Sequence, residues 1–447
     1  MKSVRTRRFW GVIFPTLLVG RAVCVGDATA AASSWTLEEC LHYAREHSPR
    51  LARAREDLRS AAGSFWTSAG TFLPHASFGG TYTENNTTPL GDLAAAMPFG
   101  LPPSITSPKY YDLTLSASQT VFSWAMKPTF SSGRAAVGRA RALESKERND
   151  LVLDVKKAFF GALYARQTLQ ISQTAEAVAK ESYDTSEALY QEGKASHFDV
   201  SRAKVAWVNA QTATIAAESG LRIAREELKT VLGLSEGAVE PAGEFQEAAF
   251  VPRDMEQEVN LAWKGRPELE ELRLMGVMAD AGVELARSGL LPFAGLNYRR
   301  NWESLAIVSN RDAYYRTWTV GAFVSLPILD GGSSWGRLRS AKADRSALRA
   351  TEREAKDGVA LEVRQACLLL KDAAERLPAQ RENVDTAKEN MRIARRRYAL
   401  GLLSQLELKD AELSLTEAET QYVKALFDYH TARAALDHST GSGEGVN

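Results

Sequence analysis

The sequence predicts a mainly α-helical protein with a small β portion, built as one structural unit written twice. Three observations lead there. The first is internal repetition. At a shift of 218, Leu37, Leu41, Ala44, Pro49 and Leu51 fall on Met255, Val259, Ala262, Pro267 and Leu269, and Leu73-Pro74 falls on Leu291-Pro292. At a shift of 208, Tyr190, Gly193 and Ser196 fall on Tyr398, Gly401 and Ser404, with Leu228 on Leu436 and Gly233 on Gly441. Turn and breaker positions repeat along with apolar ones, so the whole unit is duplicated. The second is a stretch without proline from residue 129 to 240, which permits a helix over about 131–191, roughly 90 Å long at 1.5 Å per residue. The third is a set of four segments that alternate apolar and polar residues with period two.

Taken in order, residues 1–30 read as a secretory signal. Lys2, Arg5, Arg7 and Arg8 precede a short apolar core from Phe9 to Gly20, and Ala28-Thr29-Ala30 supplies a small-x-small cleavage site. Arg21 and Val23 do not suit lipid attachment at Cys24. The first repeat is expected over 31–233. It holds a short helix (about 36–47), a second helix (about 49–71), strands (about 75–84 and 110–122) and a long helical hairpin (about 131–232) with its tip at 190–200. Residues 234–253 contain Gly, Pro and acidic residues without periodicity and read as a connector. The second repeat, 254–441, repeats the pattern, with strands at about 293–302 and 315–326 and a hairpin at about 333–437 whose tip is 398–408. Residues 442–447 read as a flexible tail.

The long helices carry a heptad seam. Leu151, Val155, Ala158, Ala162, Ala165 and Leu169 step by four and three, and Val359, Val363, Ala366, Leu370, Ala373 and Leu377 repeat the seam 208 residues on. Pro378 is expected to kink or interrupt the second long helix, since it removes one ladder hydrogen bond.

The four strands are about as long as a tilted strand needs to be to cross an outer-membrane hydrocarbon layer. Tyr82, Tyr110, Tyr111, Trp302, Tyr314, Tyr315 and Trp318 sit near their ends, where interfacial girdles lie. A soluble half-buried sheet would alternate in the same way. Yet four strands cannot close a barrel alone, and open edges are not tolerated in lipid. Two copies would give eight strands with a filled lumen; three would give twelve and leave a channel.

Composition narrows the function. Of 447 residues, 45% are hydrophobic and 25% charged, with 55 basic and 55 acidic side chains, so no basic surplus points to nucleic acid. Loss of residues 1–30 would leave acids in excess by four. No apolar run reaches 18 residues, which excludes a polytopic helical membrane protein. Cys40 and Cys367 lie in helical patterns and are expected to be unpaired. The six histidines form no metal-ligand motif with them, no Gly-rich phosphate loop is present, and no catalytic constellation or cofactor site emerges.

The chain resembles the TolC-like outer-membrane efflux family. The resemblance spans roughly 34–441 and rests on Thr36-Leu37-Glu38-Glu39 with Pro49, on Gln119-Thr120-Val121-Phe122, on Leu326 to Gly332, and on the paired Gly/Ser turns. It implies a homotrimer forming a twelve-stranded outer-membrane β-barrel, continued by a periplasmic α-helical barrel. It also implies a passive export duct for small molecules, metals or proteins, opened when a periplasmic adaptor and an inner-membrane transporter dock. By position, Gly193, Ala195, Ser196, Gly401, Leu403 and Ser404 become candidates for adaptor contact. Glu407 and Asp410, with Asp199 equivalent to Glu407, fall where the family can carry acids at the tunnel entrance. A spacing of three puts Glu407 and Asp410 on one helical face. Leu403 stands where some members place an Arg, so a closing network built on that Arg does not carry over. The competing expectation is a periplasmic helical-hairpin scaffold or adaptor without a membrane barrel. An envelope enzyme is a weaker third.

Overall fold

The computed structural model describes residues 33–87, 101–235, 237, 239–246, 250–306, 314–400 and 402–442. The signal-like segment 1–30, Gly401 and the tail from 443 onward lie outside the described residues.

In chain order the elements are β1 (Ser33–Trp35), α1 (Leu37–His47), α2 (Pro49–Gly70), β2 (His75–Glu84), α3 (Pro103–Thr106), β3 (Lys109–Ser123), α4 (Met126–Gln191) and α5 (His197–Leu232). There follow β4 (Val239–Pro241), α6 (Met255–Gly265), α7 (Pro267–Ser288), β5 (Phe293–Ser304), β6 (Tyr315–Ser325), α8 (Ser333–Ala399) and α9 (Gln405–Ser439). Helix starts follow local chemistry. A reciprocal pair opens α1: the Thr36 amide donates to Glu39 at 2.8 Å while the Glu39 amide donates to the Thr36 hydroxyl at 3.3 Å. Both α2 and α7 begin on a proline, whose fixed φ suits the first helical position. α4 starts at Met126, ahead of the expected 131, because Pro128 falls in the first turn, where an amide has no intrahelical partner to lose.

Pro378 does not interrupt α8, which is helical from Ser333 to Ala399. Buried seam residues lie on both sides of it, Leu370 and Ala373 before and Val384 and Ala387 after. One missing backbone bond is small against that burial.

Each repeat has its own apolar core, and the two cores correspond. In the first, Ala44 and Leu51 pack with Leu151, Val155, Ala162 and Leu228. In the second, Ala262 and Leu269 pack with Val359, Val363, Leu370 and Leu436, the same positions displaced by 218 or 208. Cys40 and Cys367 are buried and free, one in each core, and burial pushes the Cys40 thiol up to about 12. The long rods pack in the order α5-α4-α9-α8. Asp150 on α4 is 2.7 Å from His438 of α9, and Lys156 reaches Asp437 at 3.5 Å, tying the repeats together.

Four of the strands form one antiparallel sheet, ordered β2-β3-β5-β6. The central β3–β5 pairing, with Ala117 opposite Tyr298, joins the repeats. The register slips between Thr120 and Phe122, a bulge near the strand-to-helix junction. β2 and β6 are edge strands with no further strand beside them among the described residues.

The segment read as a connector is more than a linker. Its strand β4 pairs in parallel with β1, Ser33 opposite Val239. Arg166 of α4 donates to the Pro241 carbonyl at 2.6 Å. Phe245 then stacks with Phe160 of α4 and His430 of α9, at 6.0 and 5.5 Å between ring centres. A strand of three residues is too short to show a period, which is why the pattern missed it.

Candidate functional site at the hairpin tips

Both long hairpins turn by the same device. α4 ends with the Lys194 amide donating to the Leu189 carbonyl at 2.8 Å and the Gly193 amide donating to Tyr190 at 2.9 Å. Gly193 takes φ 73°, a left-handed conformation that costs glycine little. At the second tip the Leu402 amide donates to the Arg397 carbonyl at 2.9 Å, the same closure. Each return helix opens with a serine cap. Ser196 Oγ donates to Asp199 Oδ2 at 2.6 Å and accepts from the Asp199 amide at 3.2 Å. Ser404 Oγ donates to Glu407 Oε2 at 2.7 Å and accepts from the Glu407 amide at 3.3 Å.

Asp199 and Glu407 are therefore acceptors within their own helix caps. Hydrogen bonds from Ser196 hold the Asp199 carboxyl below its ordinary range. Those from Ser404, with Arg397 nearby, do the same for Glu407. Both stay ionised, but part of their charge is spent on backbone amides. Asp410 lies one turn further along α9 and is exposed. Ala195 is half-buried, and Leu403 packs against Met391, Ala394 and Leu408, so these two help to shape the turns. The Ser-x-x-Asp/Glu signature of a capping box stands in both tips and could have been read from sequence.

A second charged group escaped the sequence reading. Lys409 and Glu412 of α9 face Ser182 of α4 and Arg202 and Ala203 of α5 around a small void. Burial pushes the Glu412 carboxyl up against the opposing pull of Lys409 and Arg395, with Glu181 adding to the rise. Burial also pushes the Lys409 ammonium down, helped by Arg202. Gln405 Nε2 donates to the buried Ser186 hydroxyl of α4 at 2.8 Å. Only the packing of one hairpin on the other brings these residues together. No periodicity along a single helix marks them.

The ends of the rods also present apolar side chains to solvent. Phe198 is 71% and Leu400 73% exposed, beside Tyr190, Leu402 and Leu406. Exposed apolar groups gathered at the end of a long rod are uncommon where a surface meets only water. Among the described residues no group of three or more His, Cys, Asp or Glu side chains is arranged to hold a metal. No helix there is long and apolar enough to cross a membrane.

Known proteins resemble the chain over both repeats. Residues 40–234 and 259–442 match the model of the family described as outer membrane efflux protein, one match per repeat. The chain is 27% identical over 348 residues to the alkaline protease secretion protein AprF of Pseudomonas aeruginosa, covering 74% of this chain and 69% of that protein. It is 20% identical over 430 residues to the outer membrane protein TolC of Vibrio cholerae, covering 94% of each. Among solved structures, the CmeC outer membrane channel of Campylobacter jejuni superposes with a TM-score of 0.79 at 15% identity, over 91% of this chain and 86% of that one.

Proposed function

The chain belongs to the outer membrane efflux protein family, whose members are outer-membrane channels with large periplasmic helical portions rather than enzymes, and on that premise we propose that three copies assemble into a passive export duct. The carrying observation is that both layers of the protomer end on unsatisfied edges. The sheet stops at β2 and β6, and the rods stop at α5 and α8. α5 exposes Val205, Val208, Ile215 and Ile223, and α8 exposes Leu361, Leu368 and Leu369. Apolar stripes on rods and open strands on a sheet are both satisfied by neighbouring copies. Three copies would give twelve strands, enough to leave a lumen.

In that assembly the helical part lies in the periplasm and the hairpin tips face the inner membrane. The turns at Gly193, Ala195, Ser196, Gly401, Leu403 and Ser404, with the exposed apolar residues around them, would receive a periplasmic adaptor. Glu407, Asp410 and Asp199 would gather around the entrance, where rings of carboxylates favour cations. Asp410, which accepts no cap, would carry most of that preference. The driving energy would come from an inner-membrane transporter, which would also choose the cargo. Mass measurement in detergent and conductance in planar bilayers test this. A trimer that conducts and prefers cations is expected; a monomer that neither inserts nor conducts would favour the scaffold reading instead. Asp410→Asn is expected to shift the reversal potential more than Glu407→Gln, and no shift from either would reject the entrance assignment.

A further inference from the structure

The polar face of the sheet is covered at one end. The row Thr81, Asp112, Glu303 and Tyr315 crosses all four strands on that face. It lies within three residues of the strand ends remote from the helices, since β3 leads into α4 and β6 into α8 at the other end. Along the same face of β5, Asn297 and Arg299 are exposed, whereas Asn301 and Glu303 are half-buried. Asp112, opposite Glu303 in the row, has its Oδ1 shut off from solvent without a partner. The cover is the short helix α3, which packs on β3 and β5.

The Ser104 amide of α3 donates to Glu303 Oε2 at 3.0 Å, a bond that crosses from the first repeat to the second. Other ties seat the turn on the start of β3. The Ser107 hydroxyl donates to the Lys109 carbonyl at 2.9 Å and accepts from the Lys109 amide at 3.3 Å. The Asn85 amide donates to the Pro108 carbonyl at 2.7 Å, closing the turn onto the end of β2. Pro102 and Pro103 stiffen the approach, because the ring fixes φ. The turn is also apolar where the sheet beneath it is not. Leu101, Pro102, Pro103 and Ile105 are half-buried, so each keeps part of its surface in the open.

In a closed barrel the polar face lines the lumen, a placement that rests on the trimeric duct proposed above. Twelve strands about 4.8 Å apart and tilted by about 40° close at a backbone diameter of about 24 Å. A helical turn with its side chains is about 10 Å across, so three of them, one from each copy, occupy much of that bore. An apolar constriction in a polar lumen also holds back water and ions. We propose that α3 of each copy contributes to an apolar collar inside the outer mouth, anchored by Glu303, and that this collar limits the size of what leaves the duct. Without the Ser104–Glu303 bond the turn stays joined to β3 but loses its tie to β5, and the collar widens.

The test uses intact cells producing the full chain with Thr319→Cys, a residue on the polar face deeper in the barrel than the collar. Cys40 and Cys367 are buried and supply no background. Two maleimides are added from outside, one small and one carrying a short polyethylene glycol tail, and labelling is read by gel shift. The small reagent is expected to react at similar rates with and without Glu303→Ala. The tailed reagent should react roughly tenfold faster with Glu303→Ala, once the bore is open. Ile105→Trp, which leaves the anchor untouched, should slow the tailed reagent further. Equal rates for the tailed reagent in all three backgrounds, with the small one reacting throughout, would overturn the collar alone. A Thr319→Cys thiol that neither reagent reaches from outside in any background would defeat the outer-membrane duct as well.

Discussion

At the scale of single residues, the tips make one carboxylate serve two purposes, and substitution can separate them. Ser404→Ala removes the hydroxyl that accepts from the Glu407 amide and is expected to cost about 1 kcal/mol through the lost cap, with the charge of Glu407 retained. Glu407→Gln removes the charge but keeps a side chain able to complete the capping box. The first should therefore increase hydrogen exchange at the start of α9, and the second should alter conductance without fraying the helix. Equal fraying in both would make Glu407 purely structural. The pH dependence follows from the direction of the shifts. Asp199 and Glu407 are held below their ordinary values of 3.8 and 4.5. Their stabilisation of the tips is thus complete above those values and is lost as pH falls through the lower, folded ones. Proteolytic nicking at 190–200 is expected to rise as pH falls below about 4, where the Asp199 cap loses its charge. Glu412 has the opposite sign. Its raised carboxyl favours the packed hairpins at low pH and opposes them as pH rises through the folded value.

At the scale of elements, the glycine turns show how far the sequence could be read. Gly193 and Gly441 have nearly the same backbone, φ 73° and 72°, and both close a helix with the same hydrogen-bond pattern. They differ in what surrounds them. A Cβ at Gly193 would meet open space, whereas one at Gly441 would come within 2.7 Å of the Gly265 backbone, where α6 turns into α7. Gly193→Ala is expected to lose about 1 kcal/mol for the left-handed conformation alone. Gly441→Ala should lose clearly more, visible as a lower melting temperature in detergent. Equal losses would show that the α6–α7 turn yields freely. Spacing reveals that a glycine ends a helix; it does not reveal what that helix end touches. The heptad seam of α4 is likewise readable, because burial imposes one period along a continuous helix. β4 and the Phe160–Phe245–His430 stack are not, because they depend on segments far apart in sequence meeting in three dimensions. The uninterrupted α8 at Pro378 belongs with them, since what holds it is the seam it shares with neighbouring helices.

At the scale of the whole molecule, the protomer has two kinds of apolar residue, and they should fail differently. Leu228 is fully buried in the first core, so Leu228→Ala is expected to destabilise the folded chain by about 2–5 kcal/mol through lost burial and the cavity left behind. Val208 and Ile215 lie on α5 at 46% and 58% exposure and contribute little to the protomer's own core. Glutamate at both should leave helical content and protomer folding intact, because each carboxylate would remain in water. It should abolish the trimer, because closure would bury charges without partners between α5 and the α8 of a neighbouring copy. Light scattering in detergent together with circular dichroism distinguishes the cases. Loss of helicity in the α5 variant would mean that the stripe supports the protomer rather than the assembly. A stable trimer carrying both glutamates would mean that α5 is not a subunit edge, and closure would then have to come from the sheet edges β2 and β6 alone. Retained helicity with loss of both trimer and conductance would tie the channel to closure of the ring, since neither four strands nor four rods enclose a lumen without it.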